Sequence, residues 1–240
     1  MQFSIGSGLQ LAQGFDLLVR IGEAVMRCGW HTFILVAVLS IGAAASSAMA
    51  LTPAETFVQQ SIDRGIAVMK DKSLDDAARR QQIGALLAEV LDTRKMALFM
   101  LGDVRENIPA TDLDMYAEAY KAFMVANYES QLSGYGGQTL KVTGSVERAP
   151  GDYIVNAVVV DPAMPNDPNP LPVAFRVADE GSGKFAVVDA SIMGIWLGLA
   201  QRAEFGAYLG LHGGDVAALS AHLQETAAKF STPPATSAAH

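Results

Sequence analysis

Apolar residues recur at helical spacing in the first and last parts of the chain and alternate with polar ones between them. Thr52-Pro53-Ala54-Glu55 is a capping box with proline at the first helical position, and Phe57, Val58, Ile62, Ile66 and Met69 then share one helical face. Ser73-Leu74-Asp75-Asp76 opens a second helix with an acidic first turn and a stripe through Ile83, Leu86, Leu87 and Val90. A short third helix is predicted from about Thr93 to Leu101, stopping at Gly102. A longer fourth starts at Thr111-Asp112-Leu113-Asp114, carries Met115, Tyr120, Phe123, Met124 and Tyr128, and stops in the glycines of Ser133-Gly134-Tyr135-Gly136-Gly137.

From there the period changes to two. Thr139–Val146, Tyr153–Val160, Leu171–Val177 and Lys184–Ile192 are β-branched or aromatic runs. Ala149-Pro150-Gly151-Asp152 and Asp179-Glu180-Gly181-Ser182-Gly183 provide hairpin turns, while the proline-rich run Asp161–Pro172 reads as a longer loop. Short connections imply an antiparallel sheet. After Gly194 the helical period returns through Leu199, Phe205 and Leu209, and Asp215 caps a last helix bearing Val216, Leu219 and Leu223. The expected fold is α+β: N-terminal helices packed on a four-stranded antiparallel sheet, with C-terminal helices. Residues 51–230 form one domain in this reading, and 231–240, rich in Pro, Ala and Ser, form a disordered tail.

Ahead of Leu51 the pattern is that of an export signal. Arg27 supplies a positive charge, Phe33–Leu39 an apolar core, and Ala48-Met49-Ala50 the small-x-small site cut after Ala50. The run decays into Ala and Ser well short of the roughly 20 apolar residues a membrane span needs. Residues 1–50 are therefore read as the signal region, with Met26 as the expected true start, and Cys28 precedes the apolar core rather than marking a lipid attachment point.

Charge and cysteine content then narrow the function classes. The charges before Leu51 (Asp16, Arg20, Glu23, Arg27) cancel, so the exported part keeps the whole net charge of −8. That balance, with no Lys/Arg cluster, argues against nucleic acid as a partner and against broad adhesion to anionic lipid surfaces. The only cysteine leaves with the signal, which excludes a disulfide, a thiol nucleophile and a Cys-ligated metal. His212, His222 and His240 lack ligand spacing and sit near no acidic cluster, so no metal and no cofactor is expected. Gly134-Tyr135-Gly136-Gly137 follows a helix rather than a strand and lacks a closing Gly-Lys-Ser/Thr, so it reads as a helix stop rather than a phosphate loop. Asp189 interrupts the apolar run Phe185–Ile192; it either faces solvent by alternation or is paired inside. The remaining inventory is apolar and adaptable: Met96, Phe99 and Met100 on the third helix, Met115, Phe123, Met124 and Tyr128 on the fourth, and Ile192, Met193, Ile195 and Trp196 at the last strand's exit. These residues fill an ordinary core or line a pocket of variable apolar shape.

One stretch adds a resemblance. Val187-Val188-Asp189-Ala190-Ser191-Ile192-Met193-Gly194-Ile195-Trp196-Leu197 runs into Gln201-Arg202-Ala203-Glu204-Phe205 and then Gly213-Gly214-Asp215-Val216. It resembles the C-terminal signature of the MlaC, or toluene-tolerance auxiliary, family: a strand ending Val-Asp-Val, a Gly-Val-Ser turn, an Arg-x-x-Phe helix and a final Gly-x-Val-x-x-Leu helix. Leu91-Asp92, Leu101-Gly102 and Asn127-Tyr128-Glu129-Ser130-Gln131-Leu132 fall where that family has its Phe-Asp, Leu-Gly and Tyr-x-x-x-Leu elements. Ser133–Thr139 and Gln201–Phe205 look closer to the hopanoid-associated branch, HpnM. Trp196 is a departure, placing an indole at the family's Gly-Val-Ser turn.

The resemblance implies a non-enzymatic carrier of the periplasm that serves outer-membrane maintenance. It would hold a phospholipid or hopanoid-type lipid by its tails and shuttle it between membrane-bound complexes of the inner and outer membranes, acting as a monomer. The fold reading brings Met96, Phe99, Met100, Phe123, Met124, Tyr128, Ile192, Ile195 and Trp196 to the helix–sheet junction as the expected lipid-binding residues. The alternatives are a small cone-fold enzyme using a buried acid such as Asp189 as base, and an interaction module with a filled core. Arg202 and Glu204 are expected to be structural or docking residues.

Overall fold

The computed structural model describes residues 50–130, 135–181 and 183–231. The export signal up to residue 49, the Ser133-Gly134 part of the helix stop and residues 232–240 of the expected tail lie outside these residues, while Ser231 ends the last helix. From Leu51 onward the described chain belongs to one compact unit.

Each early helix begins where a side chain takes up its free amides. Thr52 Oγ1 accepts from Glu55 N at 3.3 Å while Thr52 N donates to Glu55 Oε2 at 2.9 Å, and this reciprocal pair opens α1 (Pro53–Lys70). Asp75 accepts from Ala78 N at 2.7 Å and opens α2 (Asp76–Val90). Asp92 does the same for α3 (Thr93–Leu101) through Lys95 N at 2.8 Å. Gly102, at φ 57°, turns the chain into a 3₁₀ segment, Gly102–Asn107, before the long α4 (Ala110–Ser130).

The sheet is an antiparallel meander in chain order: β1 (Thr139–Ala149), β2 (Asp152–Val160), β3 (Pro172–Asp179), β4 (Phe185–Ile192) and β5 (Ile195–Trp196). It has five strands rather than the four expected. Met193 and Gly194 both take positive φ, 53° and 80°, so the chain doubles back in a tight hairpin. Ile195 then pairs with Ile192 and Trp196 with Ser191 before the helical period resumes. Two helices follow, α5 (Leu197–Leu211) and α6 (Val216–Ser231), the second capped by Asp215 accepting from Ala218 N at 3.0 Å.

Two cores result. In the first, α1 lies over β1 and β2, and Ala54, Val58 and Val90 pack on Val142, Val155, Val177 and Val187. In the second, α4 packs along α6 and against α3, with α5 beside it; Tyr116, Tyr120, Phe205, Leu219 and Leu223 are its fully buried side chains. The α2–α3 junction is tied to the sheet by a parallel bridge from Leu91 to Val187 and by Asp92 N donating to Val187 O at 3.1 Å. Among the described residues no helix is long and apolar enough to cross a membrane.

Candidate functional site

Strand register sorts the sheet residues into two faces. Val142 is opposite Ala157, which is opposite Val173; Val155 is opposite Phe175; Val159 is opposite Leu140; Val173 is opposite Ile192. That face is apolar from the core valines to the end of the sheet at Leu140, Val159, Val173 and Ile192, and turns polar only at the opposite end, where Ser145, Glu147 and Asp179 stand on it. Its first half, around Val142, Val155, Val177 and Val187, is sealed by α1 and α2. Its second half, Leu140, Val159, Val173 and Ile192, is only half-buried, although these side chains stand on the same face as the core valines. Ile195 continues the row beyond Ile192 and is exposed. A row of aliphatic side chains that leaves the core and ends in water is suited to an apolar ligand.

The end of α4 approaches the same end of β4. Protein surrounds the Tyr128 phenol and pushes its pKa up, with the charge of Asp189 adding to the shift. Tyr128 nevertheless keeps some accessible surface and is half-buried rather than fully enclosed. Asp189 itself is held in place. Its Oδ1 accepts from Ala190 N at 2.8 Å and from Gly198 N at 2.9 Å, so a β4 carboxylate caps α5, whose own N-cap residue, Trp196, contributes no side-chain bond. Burial raises its pKa, against those two amides and the charge of Arg176. Arg176, its cross-strand neighbour, gives both of its hydrogen bonds to Asp152, at 2.9 and 3.1 Å. The carboxylate that the sequence offered as a catalytic base is thus engaged as a helix cap.

The nine expected binding residues divide by environment. Met96, Met100, Phe123 and Met124 are buried. Phe123 packs its ring against Tyr120, Phe205 and Phe230 at centroid distances of 6.5, 6.4 and 6.1 Å, and Met124 lies by Gln201, whose Oε1 accepts from Tyr120 Oη at 2.8 Å. Phe99, Tyr128, Ile192 and Trp196 are half-buried, and Ile195 is exposed. Leu140, Val159 and Val173 join the half-buried set; the sequence reading missed them, because the run Ala157–Val160 is apolar at every position and only the strand register shows which of its valines face inward. A separate groove between α1 and α2, spanned by the Arg64–Glu89 pair at 2.7 and 2.6 Å, holds about 240 Å³. That is below the usual range of ligand pockets, roughly 300–1,000 Å³. Among the described residues no three His, Cys, Asp or Glu converge on a metal-sized site.

The family model described as MlaC protein matches residues 59–225. The chain belongs to the MlaC family. No curated protein matches it in sequence. Among solved structures it is similar to a phospholipid-binding protein from Ralstonia solanacearum in complex with a phospholipid, at TM-score 0.61 and 20% identity, over 75% of this chain and 99% of that one. At that identity the likeness establishes the shared fold.

Membership gives the MlaC-like signature residues a physical reading. The Leu101-Gly102 element and the Arg202-Ala203-Glu204-Phe205 element meet: the Arg202 guanidinium lies 5.2 Å from the centroid of the Phe99 ring and fills the space over Gly102, where any Cβ would collide with it. Phe205 inserts into the ring cluster of α4, edge-on to Tyr120 at 6.2 Å. Arg202 is thus structural at the α3–α5 contact. Glu204 is half-buried with no partner among the described residues, and burial raises its pKa. A Cβ on Gly198 would sit 2.9 Å from Asp189 Oδ2, so a larger residue there would displace the capping carboxylate.

Proposed function

We propose that this MlaC-family protein is a lipid carrier of the periplasm, exported by a signal cleaved after Ala50, that shuttles lipid between complexes of the inner and outer membranes. The observation that carries the reading is the apolar sheet face whose second half stays half-buried and runs out to solvent at Ile195. Family membership supports it, as does the phospholipid in the Ralstonia solanacearum relative. Phe99, Tyr128, Ile192, Ile195 and Trp196, with Leu140, Val159 and Val173, contact the lipid tails in this proposal. Met96, Met100, Phe123 and Met124 form the wall behind them.

Burial of tails at about 0.8 kcal/mol per CH₂ needs no charged residue, which suits a site built from aliphatic and aromatic side chains. The reading is non-catalytic: Asp189, the candidate acid, already serves two backbone amides. The finer assignment, to the hopanoid-associated branch, makes a hopanoid-type lipid the cargo to look for beside phospholipid.

Organic-solvent extraction of the chain recovered from the periplasm, followed by mass spectrometry, tests the proposal. Co-purified lipid near one per chain is expected, and its mass separates hopanoid from phospholipid. A chain recovered empty, and unable to take lipid from vesicles, overturns it. N-terminal sequencing of the same sample is expected to begin at Leu51.

A further inference from the structure

We propose that the end of the sheet where the apolar face opens is a rim that enters the hydrocarbon edge of a neutral, zwitterionic bilayer. This rests on the carrier reading above and adds the surface through which the lipid passes.

The topology places four connections at that end: the approach to β1, the β2–β3 loop, the β4–β5 turn and the first turn of α5. They touch one another. Met193 N donates to Pro172 O at 3.0 Å, Val159 N donates to Leu171 O at 2.9 Å, and a Cβ on Gly137 would meet Pro162 at 3.4 Å. Their tips carry large apolar side chains in water: Met164, Met193, Ile195 and Leu199 are 53%, 50%, 48% and 57% exposed.

Met193 is the telling residue. It takes a left-handed φ of 53° ahead of Gly194 at 80°, the first central position of a two-residue hairpin that favours Asn, Asp or Gly. A methionine there accepts backbone strain and still leaves half its surface in water. The turn has no structural use for that side chain, and a strained exposed apolar residue at the mouth of an apolar face points to a ligand surface.

Charge selects the surface. Segments 135–138, 161–172 and 193–200 carry Asp161 and Asp167 and no Lys or Arg, within a chain of net charge −8. An anionic membrane would repel this rim, whereas a zwitterionic one would not. The half-buried Trp196 stands beside Ile195, a placement suited to the headgroup level.

The test is co-flotation of the full chain, as recovered from the cell, with phosphatidylcholine vesicles. Met193→Asn combined with Leu199→Gln removes two apolar tips, puts a turn-favoured residue at 193 and keeps a helix-compatible one at 199. Leu211→Gln, at the far end of α5 about 18 Å away at 1.5 Å per residue, is the control; Leu211 is 80% exposed. The wild-type chain and the control are expected to float. The double variant should fall to the vesicle-free background with its thermal midpoint unchanged or raised. Failure of the wild type to float, equal flotation of the double variant, equal loss in the control, or binding only to anionic vesicles that salt abolishes would each overturn the rim. Extracted lipid measured on the same samples keeps the two readings apart: a lipid-loaded chain that does not float sinks only the rim, and an empty chain that floats sinks only the carrier.

Discussion

Two residues show how single positions constrain this fold. Gly102 combines a φ of 57° and ψ of −136° with the Arg202 guanidinium lying where a Cβ would go. Gly102→Ala is expected to lose about 1–3 kcal/mol in denaturant unfolding from the backbone alone, with a further loss from displacing Arg202. Adding Arg202→Ala should recover only that second part, which a double-mutant cycle reads directly. Glu204 works through protons. Its folded pKa is raised by burial, so the folded state binds a proton more tightly than the unfolded one. Its contribution is therefore most favourable below the ordinary glutamate pKa and is lost as pH rises through the raised value. Glu204→Gln should raise the thermal midpoint at pH 7 relative to wild type, and the difference should shrink as pH falls below 4. A Gln variant less stable at pH 7 would reveal a partner for the carboxylate.

At the scale of elements, the α4–α5–α6 core and the open half of the sheet should respond differently to truncation. Phe123 is 6% exposed and touches three rings, so Phe123→Ala should cost about 3–5 kcal/mol of stability and leave the lipid held per folded chain unchanged. Val173→Ala and Trp196→Ala act at half-buried positions and should cost the empty protein less while lowering retained lipid. Equal stability losses at all three sites, or unchanged lipid at Val173 and Trp196, would refute the division. The elements themselves were legible where the signals are local: the capping box at Thr52, the acidic first turn of α2, the Asp215 cap of α6 and the turn residues between β1 and β2 and between β3 and β4 each mark where an element starts or stops. β5 was not, because two residues carry no periodicity and its existence depends on Met193 accepting a conformation that its residue type disfavours.

For the whole molecule, a ligand that binds only the folded state raises stability by mass action, about 2.7 kcal/mol at 100 times its dissociation constant. Delipidated chain should then melt roughly 5–10 °C below the lipid-loaded form, given a shift of about 2–4 °C per kcal/mol at this size, and recover when lipid is returned. Equal midpoints in calorimetry would mean that the apolar face carries no cargo. Sequence by itself determined the order of the helices and the four longer strands and the α+β class, because caps, turns and periodicity act over a few residues. It also carried the short motifs of the MlaC family. Tertiary structure alone decided which apolar residues are core and which are half-open: Phe123 and Trp196 look alike as sequence, but one is enclosed by rings from α4, α5 and α6 and the other stands at a strand's end. It likewise turned Asp189 from a candidate base into the cap of α5 and seated Arg202 over Gly102. These outcomes depend on contacts between segments far apart in the chain, and no local pattern encodes which segment will arrive.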